Sequence, residues 1–142
     1  KATSSFASQW ANKNIELGKN AFGWKSLRLN FGKKEVIMTV TENSGKSYEL
    51  PFGYQEWKTT SMDAYPPYSI TPKDRFKGLE GPYWVSGSYA WISKEELQLK
   101  AHYVNWVSAL EITFRMENGE VKLQVQTNYV KKPYSISGKI TE

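Results

Sequence analysis

Three short polar loops each join two apolar runs whose hydrophobic residues meet in a single register. The two-residue loop Asn118-Gly119 carries the strongest short hairpin signal. Residues 43–45, with Gly45 in the left-handed position, and residues 32–35 predict two further hairpins. A one-residue slip in the pairing of any of these hairpins would turn every side chain of one strand to the other face. Because apolar residues meet in all three hairpins without such a slip, we expect consecutive strands to share one apolar face. The predicted pairs are Phe31/Val36, Leu29/Met38, Leu27/Val40, Val40/Tyr48, Met38/Leu50, Val36/Phe52, Met116/Val121, Phe114/Leu123 and Ile112/Val125.

Alternating hydrophobicity continues along most of the chain and predicts nine or ten antiparallel strands without helices between them. We therefore expect an all-β fold, a lipocalin-like up-and-down barrel of about 8–10 strands that is closed or strongly curved and half-open. A β-sandwich is the alternative. Residues 60–82 contain four prolines and predict one long loop. The predicted strands span 12–17, 24–31, 35–42, 46–53, 55–59, 83–92, 97–103, 106–116, 120–127 and 134–141.

The length of 142 residues suits one domain. Residues 1–9 are rich in Ser and Ala and predict a linker or frayed N-terminus, with one helical turn through Phe6 and Trp10 as the alternative, and residues 10–142 form the barrel. The net charge of +5 is scattered, which does not favour nucleic-acid binding. No apolar run reaches the roughly 20 residues of a membrane span. The missing initiator Met and signal peptide indicate a processed piece of a longer chain.

No set of residues with catalytic or metal-binding chemistry is visible. The single histidine, His102, is predicted to face solvent, and a zinc site or a Ser-His-Asp relay needs more partners than it has. The absence of cysteine excludes disulfides and thiol catalysis. The carboxylates lie singly on turns, with Glu111 the only one at the centre of a strand. We therefore predict no catalytic residue, no metal and no cofactor.

The inward face of the second half carries small residues that favour a cavity. Extending the shared register places Ser86, Ser88, Ala101 and Ser108 side by side on this face. Three aromatic residues are predicted to surround its mouth, unless Trp10, Phe22 or the long loop fills the space. The candidate ligand-binding residues are Trp84, Ser88, Tyr103, Trp106 and Ser108.

Four further aromatic residues form a candidate partner-binding surface. Tyr89 and Trp91 are predicted to face outward, and Tyr65 and Tyr68 flank two prolines in the long loop. Such aromatics pack under a loop, contact another domain or stack on a sugar. A merely rigid loop accounts equally well for Tyr65 and Tyr68.

Part of the sequence also resembles a known protein family. The run 22–31 (FGWKSLRLNF), followed by Leu50-Pro51-Phe52-Gly53 and Trp57, resembles the C-terminal β-barrel extension of serine hydrolases of the beta-lactamase and penicillin-binding-protein type. The resemblance covers the chain from about residue 10 onward and carries no active-site motif, because no lysine follows a serine by three positions. It implies a periplasmic or exported location and a serine hydrolase catalytic domain elsewhere in the same polypeptide.

We therefore expect a noncatalytic accessory domain that contacts this catalytic partner domain or forms a homo-oligomer, without nucleic acid or membrane insertion. The alternative is a lipocalin-like or avidin-like barrel that binds a small molecule in the predicted cavity. A carbohydrate-binding surface at the second aromatic group is a third hypothesis.

Overall fold

The structure, a computed structural model, describes residues 8–62, 83–103, 108–127 and 131–141. These residues form ten β-strands, and residues 8–9 form a short 3-10 turn. The described part of the chain contains no helix long and apolar enough to cross a membrane. The strands are β1 (Asn14–Leu17), β2 (Trp24–Phe31), β3 (Glu35–Glu42), β4 (Ser47–Tyr54), β5 (Lys58–Met62), β6 (Tyr83–Trp91), β7 (Glu96–Tyr103), β8 (Ser108–Glu117), β9 (Glu120–Thr127) and β10 (Tyr134–Thr141).

The strands form one closed, mixed β-barrel, which confirms the predicted all-β barrel fold. Their order around the sheet is β4-β3-β2-β1-β10-β9-β8-β7-β6-β5. A parallel pairing of β4 with β6, through Gly53 and Ser88, closes a ring of nine strands. All the other pairs between strands are antiparallel. Strand β5 pairs with the first half of β6 outside this ring.

All three predicted hairpins have the predicted register. Asn118 and Gly119 both have positive φ, at 54° and 79°, as a primed two-residue turn requires. Gly45 adopts φ 91°, so the left-handed position falls on the expected glycine. The hydrophobic partners in each hairpin lie on the inner face of the wall.

Gly87 allows β4 to approach β6 where the ring closes. A Cβ atom added at Gly87 would contact the Pro51 carbonyl oxygen and would lie 2.8 Å from Phe52 Cδ1. The Phe52 side chain therefore occupies the space that a side chain at Gly87 would need. Beyond Tyr54 the chain bends through Gln55, which has φ 56°, and continues into β5.

Aromatic clusters occupy both ends of the interior. At the end that we call the Trp24 end, Phe22 stacks on Trp24 at 4.8 Å between ring centroids and meets Tyr134 edge-on at 5.0 Å. The Trp24 Nε1–H donates to the Tyr48 hydroxyl at 3.2 Å. At the opposite end, the Trp10 end, the wholly buried Trp10 follows the 3-10 turn.

Contacts to two strands, β6 and β8, hold the Trp10 ring in place. Its centroid lies 5.6 Å from that of Trp91 and 6.2 Å from that of Phe114, and Phe31 stacks on Trp91 at 6.1 Å. The Asn12 N–H donates to the Leu29 carbonyl at 2.9 Å and fixes the segment that follows Trp10 against β2. The Trp10 end is therefore covered by the chain's own N-terminal segment.

The predicted orientation of β6 is wrong. Val85, Gly87 and Tyr89 are buried, and Trp91 packs partly buried against the core, whereas Ser86 and Ser88 belong to the outer face. The β6–β7 register, Tyr89 opposite Leu99, places the odd-numbered residues of β6 inward. Ser86 and Ser88 therefore do not enlarge the interior. The small inward residues of this region are Gly87 and Ala101, which lie opposite each other.

Candidate binding site in the barrel interior

Three buried polar atoms inside the apolar wall have no hydrogen-bond partner in the described part of the structure. They are the Trp10 Nε1, the Trp91 Nε1 and the Thr127 Oγ1. Leaving one such atom unpaired costs about 1–3 kcal/mol, so most buried polar groups in proteins have a partner or an ordered water. These atoms mark positions where a bound molecule or a water would gain hydrogen bonds.

Two of the unpaired atoms lie at the Trp10 end and the third lies at another level of the barrel. Trp91 is opposite Leu97, which is opposite Phe114. Thr127 is opposite Leu110. The two levels are separated by the length of β8 between Leu110 and Phe114, about 13 Å at the usual rise per residue.

The level of Thr127 carries small inward residues. Gly87, Ala101, Leu110 and Thr127 follow one another around the wall on four adjacent strands. Phe52 covers Gly87, which leaves Ala101 and Thr127 as the short side chains at this level. The next inward positions on β7 and β8 belong to residues whose side chains the structure does not describe.

The described interior contains no ionised group. Thr127 is the only buried polar or charged residue among the described positions, so no described Lys, Arg, Asp or Glu is buried. Burial raises the pKa of Tyr48 to about 12, with a further rise from Glu42 and an opposing effect from the Trp24 hydrogen bond. Burial likewise raises the pKa of Tyr89, and Tyr54 adds to this rise. Both phenols therefore stay neutral at physiological pH.

The predicted ligand-binding residues do not come together inside the barrel. Trp84 lies on the outer face with 45% of its surface exposed, and Ser88 borders an external groove. The expectation that these two line the interior is wrong, because it rested on the inverted face of β6. Tyr103 and Ser108 pair with each other at the ends of β7 and β8, but their side chains and all of Trp106 lie outside the described residues.

The predicted partner-binding aromatics are also divided. Tyr89 is buried and its ring lies 5.6 Å from that of Tyr54, while Trp91 belongs to the Trp10 end. Their predicted outward orientation is therefore wrong, for the same reason as that of Trp84. Tyr65 and Tyr68 lie outside the described residues, as do most of the predicted long loop and residues 1–7 of the predicted linker. Ligand or partner binding at any of the predicted positions stays a prediction.

The outer wall presents a different set of aromatic residues. Trp57, which is 51% exposed, meets His102 edge-on at 5.1 Å between ring centroids. His102 is exposed, as the sequence predicts. The adjacent groove, bordered by Trp57, Ser88 and Lys100, has a volume of about 260 Å³ and opens to solvent. Within the described ranges, no three His, Asp or Glu residues are grouped to hold a metal ion.

Sequence reasoning missed Trp10, Trp91 and Thr127 as interior polar groups. The sequence places Trp10 either in a helical turn with Phe6 or as a filler of the core, and it places Trp91 on the outer face. The signal that could have placed Trp91 is the short loop from Ile92 to Glu95, which sets Trp91 opposite Leu97. No sequence signal indicates that a buried indole lacks an acceptor.

No protein-family model matches this sequence, and no curated protein matches it. Solved structures with the same fold do match it over nearly its whole length. The fold is similar to that of the fatty-acid-binding proteins.

Three solved structures illustrate this likeness. Apo lipid binding protein 8 of Caenorhabditis elegans is 10% identical with a TM-score of 0.63, and the match covers 99% of this chain and 100% of that one. The fatty acid binding protein of Schistosoma mansoni in complex with arachidonic acid is 11% identical, with a TM-score of 0.62 and coverages of 95% and 98%. Fatty-acid-binding protein 1 of Echinococcus granulosus is 12% identical, with a TM-score of 0.61 and coverages of 95% and 99%. At these identities the likeness shows the fold.

These matches correct the family resemblance. The expected beta-lactamase or penicillin-binding-protein extension is wrong, since the matched proteins are fatty-acid-binding barrels that align over the whole chain. The expected serine hydrolase partner domain is wrong for the same reason, because the match covers 98–100% of those chains and leaves no attached catalytic domain in them. The periplasmic or exported location rested on that resemblance and stays a prediction.

Proposed function

We propose that this barrel binds a small apolar molecule in its interior and acts as a binding protein without a reaction of its own. The observation that carries the proposal is the set of unpaired polar atoms of Trp10, Trp91 and Thr127 inside an otherwise apolar wall. A ligand with hydrogen-bonding atoms would pair groups that the described residues leave unpaired.

The barrel geometry agrees with this function. Barrels of about eight strands have an interior that side chains fill or that holds one small ligand, and this ring has nine strands. The matched proteins support the same class of ligand, because they are described as fatty-acid-binding or lipid-binding proteins and one of them holds arachidonic acid.

Two matched alanine substitutions test where the molecule binds. Ala101 is buried on the inner face of β7, whereas Ala90 is exposed on β6, so Leu at either position adds the same volume on opposite sides of the wall. Purified protein would be incubated with an apolar panel of alkanes, fatty-acid esters, fatty acids and retinol. The bound compound would be recovered by gel filtration and measured by mass spectrometry.

We expect at least one compound to elute with the protein in a stoichiometric amount. Ala101→Leu should lower the affinity about 5- to 150-fold, because extra methylenes in an occupied space cost about 1–3 kcal/mol. Ala90→Leu should leave it unchanged. The proposal is wrong if the folded protein retains no compound, or if Ala101→Leu retains as much as Ala90→Leu.

A further inference from the structure

Two neighbouring indole N–H groups are the buried polar atoms at the Trp10 end that have no hydrogen-bond partner among the described residues. Trp10 is wholly buried, and both its Nε1 and that of Trp91 lack an acceptor. The ring centroids lie 5.6 Å apart. An indole nitrogen donates and cannot accept, so the group that satisfies this pair must be a hydrogen-bond acceptor.

The aromatic rings described next to these two indoles contain no oxygen or nitrogen atom that could accept a hydrogen bond. Phe114 packs against Trp10, and Phe31 stacks on Trp91; both are hydrocarbon rings. A water oxygen could accept from both N–H groups, but its own two hydrogens would then need acceptors, and neither ring neighbour provides one. An acceptor carried by a bound molecule would pair both N–H groups without leaving donors of its own unpaired.

The charge of that acceptor follows from the surrounding residues. None of the lysines and arginines in the described part of the chain is buried, so no described cation lies inside the barrel to neutralise a carboxylate. An unpaired buried carboxylate is strongly disfavoured, whereas a neutral carbonyl oxygen accepts hydrogen bonds without that penalty.

We propose that the Trp10 end recognises the uncharged carbonyl oxygen of a lipid ester or ketone and discriminates against fatty-acid carboxylates. This inference rests on the proposed function and specifies its ligand class. The apolar chain of the lipid lies along the interior toward the level of Thr127, and the indole N–H groups of Trp10 and Trp91 donate to its carbonyl.

Three probes of similar chain length separate these contributions. Isothermal titration at pH 8 would compare methyl laurate, which has a neutral carbonyl, with laurate, which is ionised, and with tridecane, which has no acceptor. We expect methyl laurate to bind roughly 100-fold more tightly than laurate, since the anion loses its hydration without gaining a cation. Tridecane should bind about 3- to 10-fold more weakly than the ester for each N–H that the ester engages.

An isosteric substitution isolates the N–H groups. Benzothienylalanine at position 10 or 91 retains the shape of the indole and replaces the N–H by sulfur. Each replacement should weaken methyl laurate about 3- to 10-fold and leave tridecane unchanged. The same replacement at the exposed Trp57 or Trp84 is the matched control and should change neither affinity. Comparing the three probes on the native protein needs no variant, so it stands even if a replacement prevents folding.

The outcomes distinguish this inference from the proposed function. If none of these probes or the wider apolar panel binds, the proposed function itself fails. If laurate binds as tightly as methyl laurate, the inference fails and the binding barrel stands. Equal weakening of ester and tridecane would show that the rings act by packing alone. A benzothienylalanine variant could instead be less stable without ligand and still bind the ester as tightly as the native protein. That result would show that the N–H already donates to the face of a neighbouring aromatic ring. Either this result or the equal weakening would overturn the inference.

Discussion

Gly87→Ala would test how the barrel closes. The added Cβ would meet the Pro51 carbonyl oxygen and would lie 2.8 Å from Phe52 Cδ1 and 3.2 Å from Phe52 Cε1. The Pro51 oxygen belongs to the backbone of β4, so side-chain rotation alone cannot relieve the clash. The two strands must therefore move apart at the closing pair, and Phe52 moves with β4.

The expected loss of stability follows from two opposing effects. Extra volume in a packed site costs about 1–3 kcal/mol. Replacing glycine by alanine restricts the unfolded chain and returns about 0.4–1 kcal/mol. The net loss should be about 1–2 kcal/mol, or a Tm lower by about 2–8 °C for a chain of this length.

Urea unfolding followed by tryptophan fluorescence measures this loss. Gly18→Ala is the matched control, because a Cβ there would lie 3.5 Å from the Ser137 carbonyl oxygen, an ordinary contact, and its φ is not in the left-handed region. We expect the control to be neutral or stabilised by up to about 1 kcal/mol. Equal midpoints for the two variants would refute the close approach of β4 to Gly87.

Three further predictions concern other elements. Asn20→Ala should cost about 1–3 kcal/mol in urea unfolding, because its side chain accepts from the Phe22 and Trp24 N–H groups and donates to the Trp24 carbonyl; an unchanged midpoint would contradict this role. Gly119→Ala should lower stability by about 1 kcal/mol in thermal unfolding because φ is 79°, and a neutral result would contradict the primed turn. The raised pKa of Tyr48, about 12 against a usual 10.0, gives stability that is complete below pH 10 and is lost as the pH rises toward 12. Unfolding midpoints from pH 9 to 12 should show a decline that Tyr48→Phe reduces, and equal declines would refute it.

The hairpins could be predicted because the loop residues and the flanking hydrophobic pattern specify the same strand register. Asn118-Gly119 requires a primed turn, and only one register then places Phe114 and Leu123 on the same side. Local turn chemistry and burial agree at these sites, so tertiary contacts add nothing that changes the register. The predicted ends of most strands consequently lie within one or two residues of the observed ends.

Strand β6 was predicted on the wrong face because its two faces look alike in sequence. Trp84 and Tyr89 put an aromatic residue on each face, and the inner face contains Gly87, which has no hydrophobic side chain to identify it. The correct face depends on Phe52, a residue distant in the chain that fills the space over Gly87. Long-range packing of this kind leaves no local pattern.

The parallel closing pair and the interior site were also beyond the sequence. The β4–β6 pairing joins strands that the long loop separates, and no turn signal specifies it. The resemblance to a hydrolase extension rested on a Gly-Trp turn and alternating strand residues, which arise in many antiparallel barrels because turns and inner faces have similar requirements. The unpaired indole of Trp10 follows from three-dimensional packing alone.

Binding inside the barrel can be observed directly in the ¹⁵N-indole NMR spectrum during titration with methyl laurate, with signals assigned by single Trp→Phe variants. We expect the Nε1–H signals of Trp10 and Trp91 to move as the ester binds, while those of the exposed Trp57 and Trp84 stay in place. Movement of the Trp57 and Trp84 signals with unchanged Trp10 and Trp91 signals would place binding on the outer wall and contradict an interior site.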